Sequence, residues 1–176
     1  MKYLILTITA VSILLASCGG SDNTSTESTA ETTQTQTEEI VVESPAVAAL
    51  VVSNQINLNG NDLMKYSDTL FKVKAGEVVT LKMTNIGKLP KSAMGHNFVL
   101  LKTDVDIANF ATEAITAQAT DYIPASLSNS VIVHTKLLGP GESDEITFTI
   151  NEKSSHDFIC SFPGHYGVMK GRIIAE

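Results

Sequence analysis

Hydrophobic and polar residues alternate along much of residues 53–176. Phe71, Val73 and Ala75 alternate with Lys72 and Lys74. Val79, Leu81 and Met83 alternate with Thr80, Lys82 and Thr84, and Ile146, Phe148 and Ile150 with Glu145, Thr147 and Thr149. A period of two sends successive side chains to opposite faces, so these are half-buried strands. Further β-rich runs lie at residues 96–101, 131–135, 157–160 and 169–175. Turn residues separate them: Lys74-Ala75-Gly76, Gly87-Lys88-Leu89-Pro90 and Gly139-Pro140-Gly141. Many short strands with such punctuation predict an all-β sandwich or barrel. One stretch breaks the rhythm. Between residues 106 and 120, Ile107, Phe110, Ala111, Ala114 and Ile115 recur at helical spacing and predict one inserted, broken helix.

The N-terminal part follows other rules. Met1-Lys2 precedes an apolar stretch from Tyr3 to Ala16, a pattern that predicts an export signal over residues 1–17. The stretch is too short for a comfortable membrane span. It ends Leu15-Ala16-Ser17-Cys18, which resembles a bacterial lipobox. That resemblance implies acylation of Cys18 and a protein anchored to a membrane without crossing it. The alternative is an ordinary signal peptide that carries a cysteine. Residues 18–52 follow, rich in Thr, Ser, Gln and Glu, and predict a disordered linker with Val47 to Val52 as a lead-in to the first strand. The 34 residues after Cys18 would reach roughly 30–35 Å as a flexible coil.

Charge sharpens this division. The 176 residues carry 12 basic and 19 acidic side chains, a net charge of −7. Six of the acids (Asp22, Glu27, Glu31, Glu38, Glu39, Glu43) fall in residues 18–52, which hold no base. The acidity therefore belongs mostly to the linker. Residues 53–176, with a net charge of −2, form a near-neutral domain large enough for its own core. No basic patch suited to nucleic acid is present in the sequence. Two cysteines permit at most one disulfide.

The candidate chemistry lies near the C-terminus, in Cys160-Ser161-Phe162-Pro163-Gly164-His165-Tyr166-Gly167-Val168-Met169. A thiol, an imidazole and a thioether stand there as Cys-x4-His-x3-Met, and Met94-Gly95-His96-Asn97 lies upstream. A cysteine and two histidines with a weak axial methionine are the ligand set of a blue-copper site. Soft sulfur suits Cu(I) and imidazole tolerates Cu(II), so little need move when an electron comes or goes. Singly, each residue has a plainer reading as a buried hydrophobe, a structural histidine or a core methionine. An unpaired thiol in an exported chain calls for a reason, and metal ligation supplies one.

Residues 54–176 resemble the azurins, bacterial cupredoxins. The motifs that carry this are Leu58-Asn59-Gly60-Asn61-Asp62, Lys88-Leu89-Pro90-Lys91, Met94-Gly95-His96-Asn97, Val133-His134-Thr135-Lys136-Leu137, and Phe162-Pro163-Gly164-His165 with Met169-Lys170-Gly171. The resemblance implies a Greek-key sandwich of about eight strands with a helical flap near 106–120, and one copper ion cycling Cu(I)/Cu(II). It implies His96, Cys160 and His165 as strong ligands, with Met169 and the Gly95 carbonyl as a weak axial pair. It further implies that Asn97 ties the ligand loops together, and that the N–H groups of Asn97 and Phe162 point at the Cys160 sulfur.

The chain also departs from that pattern. The positions of the usual disulfide hold Asn54 and Gly76, and Phe98 stands where a tryptophan is frequent. Asn85 replaces a histidine that titrates near copper in some members, which removes the basis for that pH switch. Tyr166 replaces a small residue and is expected at the rim of the docking face. His134 and His156 are read as structural rather than metal-binding.

Leu89, Pro90, Met94, Pro163, Gly164 and Val168 are expected to form an apolar docking face around the edge of His165. The expectation is a lipid-anchored electron carrier of a bacterial cell envelope, on the periplasmic side, and not an enzyme. Its partners would be redox proteins such as c-type cytochromes or respiratory complexes, with no nucleic acid and no small-molecule substrate. The rival reading is a copper carrier or sequestration protein, which the closed ligand loop and the lack of Met- or His-rich tracts weigh against.

Overall fold

The computed structural model describes Val47 and residues 49–176. The expected signal peptide (1–17), the lipid attachment at Cys18 and most of the expected linker lie outside the described residues.

Nine strands occur among the described residues: β1 (Gln55–Asn61), β2 (Lys65–Tyr66), β3 (Leu70–Val73), β4 (Val78–Asn85), β5 (Val99–Leu101), β6 (Val131–His134), β7 (Ser143–Thr149), β8 (Ser154–Ile159) and β9 (Lys170–Ala175). The ninth, beyond the expected eight, is the two-residue β2. One sheet runs β2-β1-β4-β7 and the other β3-β9-β8-β5-β6. The chain crosses between sheets at β2–β3, β3–β4, β4–β5, β6–β7 and β7–β8, which gives the sandwich its Greek-key character.

The period-two readings translate directly into packing. In β4, Val79, Leu81 and Met83 are fully buried, whereas Val78 and Lys82 face solvent. Phe148 of β7 is buried between Thr147 and Thr149, which are exposed. Phe158 anchors the aromatic centre of the core, its ring centroid 5.0 Å from Phe98, 5.5 Å from Tyr66 and 5.9 Å from Phe71. β3 departs from the alternation, because Lys72 is buried and pairs with Glu176 at 2.8 Å. The lead-in is pinned beside it: Val52 bridges to Lys72, and the Ser53 N–H donates to the Lys72 carbonyl.

The helical segment is broken, as its spacing suggests. Helix α1 spans Lys91–Met94 and helix α2 spans Ile107–Ala114, with short 3-10 turns at Gln118–Thr120 and Ala125–Ser130. The Asp106 side chain caps α2 by accepting the Asn109 N–H at 3.0 Å. Phe110 of α2 joins Val99, Leu101, Ile123 and Ile159 in a second apolar cluster. The flap thus covers the outer face of the β5–β8 region, so both faces of β5 are buried and its sequence reads as a continuous apolar run.

Where the resemblance would place a disulfide, Asn54 is instead tied to residues on either side of Gly76. The Asn54 side chain accepts the Lys74 N–H at 2.9 Å and donates to Glu77 at 3.1 Å. Gly76 has φ +79°, a conformation that disfavours any residue with a Cβ. Among the described residues Cys160 is the one cysteine, and it is free.

Candidate metal centre

The C-terminal loop begins where β8 ends. The Cys160 N–H donates to the Met169 carbonyl at 2.9 Å and closes the loop at its neck. Inside, the His165 carbonyl accepts the Met169 N–H at 2.8 Å, and the Phe162 carbonyl accepts the His165 N–H at 3.0 Å. Gly164 takes φ +84°, which lets the chain reverse and returns His165 to Cys160. His165 Nδ1 lies 3.6 Å from Cys160 Sγ.

His96 comes from the other side. It follows α1 and forms an isolated antiparallel bridge with Leu138, their N–H groups donating at 3.1 and 2.7 Å. The Asn85 side chain braces this loop by donating to the carbonyls of Leu138 (3.0 Å) and Met94 (3.3 Å). At the position where the resemblance would place a titrating histidine in some members, Asn85 is thus an amide with a bracing role. His96 Nε2 donates to the Asn61 carbonyl at 2.9 Å, which leaves Nδ1 with its lone pair facing inward. That Nδ1 is buried and has no hydrogen-bond partner.

One ligand atom each from His96, Cys160 and His165 lies within 4.8 Å of the other two. All three residues are buried. An orphaned imidazole nitrogen beside a thiol and a second imidazole is what a soft-to-borderline metal ion completes, so the donor set fits copper. Electrostatics agree. Burial lowers the pKa of His96, and burial followed by the neighbouring His96 lowers that of His165 to about 4. Both imidazoles are thus neutral ligands at physiological pH. Burial pushes the Cys160 thiol up to about 12, against the pull of hydrogen bonds from the Asn97 and Phe162 backbones.

Of the other expected residues, Met169, Asn97 and Phe162 lie against this group or its loops. Met169 is fully buried, and Gly60 makes room for it: a Cβ at Gly60 would stand 2.9 Å from Met169 Cε and 3.1 Å from His96 Cδ2. Gly95 is confined too, since a Cβ there would meet the Lys91 carbonyl at 2.7 Å. Asn97 joins the loops: its Oδ1 accepts the Ser161 N–H at 2.9 Å, and its Nδ2 donates to Ser161 Oγ and the Asp121 carbonyl, both at 2.8 Å. The Phe162 ring packs on His165 (4.6 Å) and on Tyr122 (5.2 Å). Leu89 and Val168 are exposed, Pro90 and Gly164 likewise, whereas Met94 and Pro163 are half-buried.

Tyr166 does not stand free at a rim, but packs against the second apolar cluster beside α2. His134 and His156 lie outside the three-residue group; His156 Nδ1 donates to the Leu101 carbonyl at 3.0 Å. The roles of Asn61 and Gly60 beside His96 were not legible in the sequence, where both are only part of a motif. Their signal was the tight Asn59-Gly60-Asn61 run. Leu63 and Ile86, also exposed, add apolar surface on segments next to Asn61 and Gly60.

Comparison with known proteins agrees with this geometry. Residues 52–176 match the model of the copper-binding plastocyanin/azurin family. The azurin of Pseudomonas chlororaphis is 37% identical over 127 residues, covering 69% of this chain and 98% of that protein. The azurin of Alcaligenes faecalis is 39% identical over 123 residues, covering 67% and 94%. Among solved structures, reduced auracyanin from Roseiflexus castenholzii superposes with a TM-score of 0.64 at 32% identity, covering 72% of this chain and 99% of that one. An azurin from Methylomonas sp. strain J gives 0.63 at 29% identity, covering 69% and 97%. Family match, fold and a buried His-Cys-His group agree: this chain belongs to the plastocyanin/azurin family of copper-binding proteins.

Proposed function

We propose that the chain is a type 1 copper protein that passes single electrons between redox partners outside the cytoplasm, tethered to a membrane by a lipid on Cys18. The observation that carries the copper reading is the buried, partnerless Nδ1 of His96, facing the Cys160 thiol and the second imidazole. In this reading His96, Cys160 and His165 would hold the copper most strongly, with the Met169 thioether and the Gly95 carbonyl as weaker donors.

Bound copper supplies a one-electron Cu(I)/Cu(II) couple. The chain does the rest. The Asn61 carbonyl fixes the His96 tautomer, and the closed 160–169 loop fixes the His165 ring, so the donors need little rearrangement between oxidation states. The N–H groups of Asn97 and Phe162 stabilise negative charge on the sulfur. Phe162, Met169 and Leu137 keep water out. His165, 3% exposed where His96, Cys160 and Met169 are fully buried, is the ligand nearest the surface and the route for the electron.

Leu89, Met94, Pro163 and Val168 form the docking face for that route. Partners in this reading are c-type cytochromes or respiratory complexes of a bacterial cell envelope, on the periplasmic side. An apolar patch on a near-neutral domain suits brief encounters. The protein acts as a carrier of electrons rather than as an enzyme. A copper-delivery role fits less well, because transfer of the ion needs ligands an acceptor can reach, and these are sealed.

The test is optical and magnetic. Cu(II)-loaded protein is expected to show an intense blue thiolate-to-copper band and a narrow copper hyperfine splitting, both lost in Cys160→Ser. A pale spectrum with ordinary splitting in the unmutated protein would remove Cys160 as a strong ligand and bring copper delivery forward.

A further inference from the structure

Tyr66 stands on the short β2, paired across to Gly60. Its side chain points into the core, where its ring packs on Phe158. Phenylalanine would fill that space without the cost of desolvating a hydroxyl. The hydroxyl donates to the Asn97 carbonyl at 2.6 Å, a short, fully buried bond. At the other end of the same peptide unit, the Phe98 N–H donates to Thr135 Oγ1 at 3.0 Å. The peptide after Asn97 is thus gripped at both ends, while the side chain of Asn97 is held by Ser161 and Asp121. The remaining polar group of Asn97, its own N–H, is the one that bonds to the Cys160 sulfur. Burial, then the nearby Cys160, raises the Tyr66 phenol well above its ordinary range, so it stays a donor.

We propose that Tyr66 is a positioning residue for the redox couple: its hydroxyl holds Asn97 so that the Asn97 N–H stays on the Cys160 sulfur, and this keeps the reduction potential high. The inference rests on the blue-copper reading above. Its physical basis is the charge on sulfur. Cu(II) draws more electron density from the thiolate than Cu(I) does, so the sulfur is more negative in the reduced state. A hydrogen bond to it therefore favours reduction, and a slackened one favours oxidation.

The experiment compares the full chain, purified in detergent, with its Tyr66→Phe variant, which keeps the ring and loses only the hydroxyl. The equilibrium constant for reduction should fall by up to about tenfold, which is about 59 mV for one electron. The thiolate-to-copper band should shift, and the Asn97 amide should exchange faster in the Zn(II)-substituted protein, a readout independent of electron transfer. Phe71→Leu, which removes another ring packed on Phe158, serves as the packing control and should lower thermal stability without moving the potential. Three results would overturn the proposal. A Tyr66→Phe protein that melts earlier but keeps potential, band and Asn97 exchange would make Tyr66 purely structural. A shifted potential with unchanged Asn97 exchange would mean that the phenol acts on the sulfur by its field alone. A control that moves the potential equally would reduce the effect to packing. Absence of the blue band in the unmutated chain would instead strike the copper reading itself.

Discussion

At the residue scale, burial holds every group of the centre neutral, which leaves the two imidazoles ready for a metal and the thiol one proton away from readiness. The Cys160 thiol, pushed up to about 12, is neutral at pH 7, and the two imidazoles, pushed down, are neutral as well. Metal binding must therefore expel one proton, from sulfur, and none from the histidines. Between pH 7 and 9 the apparent affinity for Zn(II), a redox-silent probe of the same donors, should rise about tenfold per pH unit. Competition against a chelator of known pH dependence measures the slope. A flat profile would show that the thiol is already ionised in the metal-free protein.

At the element scale, α2 owes its place to burial more than to its own ends. Replacing the cap, Asp106→Ala, should cost about 1 kcal/mol. Truncating the residue that α2 inserts, Phe110→Ala, should cost about 3–5 kcal/mol, because it empties the centre of the second cluster. Denaturant unfolding separates the two, and equal costs would mean that the flap contributes little core. Much of the element order was legible in advance. β4 and β7 read off their alternation, and the spacing of Ile107, Phe110, Ala111 and Ala114 showed the helix. The loop that brings Cys160 and His165 together was legible because the two are close in sequence. What escaped depends on distant contacts. Lys72 reads as a solvent-facing strand residue, yet Glu176 and the lead-in at Val52 turn it inward. Tyr66 reads as an ordinary aromatic, because its partner Asn97 lies 31 positions away. Tyr166 was expected at the surface, since nothing local shows that α2 offers it a cluster to pack on.

At the scale of the whole molecule, the centre clasps the sandwich together. His96 is held to Leu138, Asn85 to the same strip of chain, and Asn97 to Ser161, so four separated segments converge on one end of the fold. With Cys160 free, no disulfide backs up this closure among the described residues. The convergence buries two imidazoles, and that carries a pH signature in the metal-free protein. The folded state holds His165 down to about 4, whereas the unfolded chain binds its proton near the ordinary value of 6.5. The unfolded state therefore takes up more protons across that interval, and stability rises with pH. Its contribution is complete above about pH 6.5 and is lost as pH falls through about 4, up to roughly 3 kcal/mol in all. His96, lowered for the same reason, acts in the same direction. Urea midpoints of the metal-free protein, measured from pH 7 to 4, should fall along this window. His165→Phe should flatten the fall, since an apolar ring has no proton to gain. Midpoints independent of pH across the window would show that the imidazoles are solvated in the metal-free state, and that the end of the sandwich opens when the metal is absent.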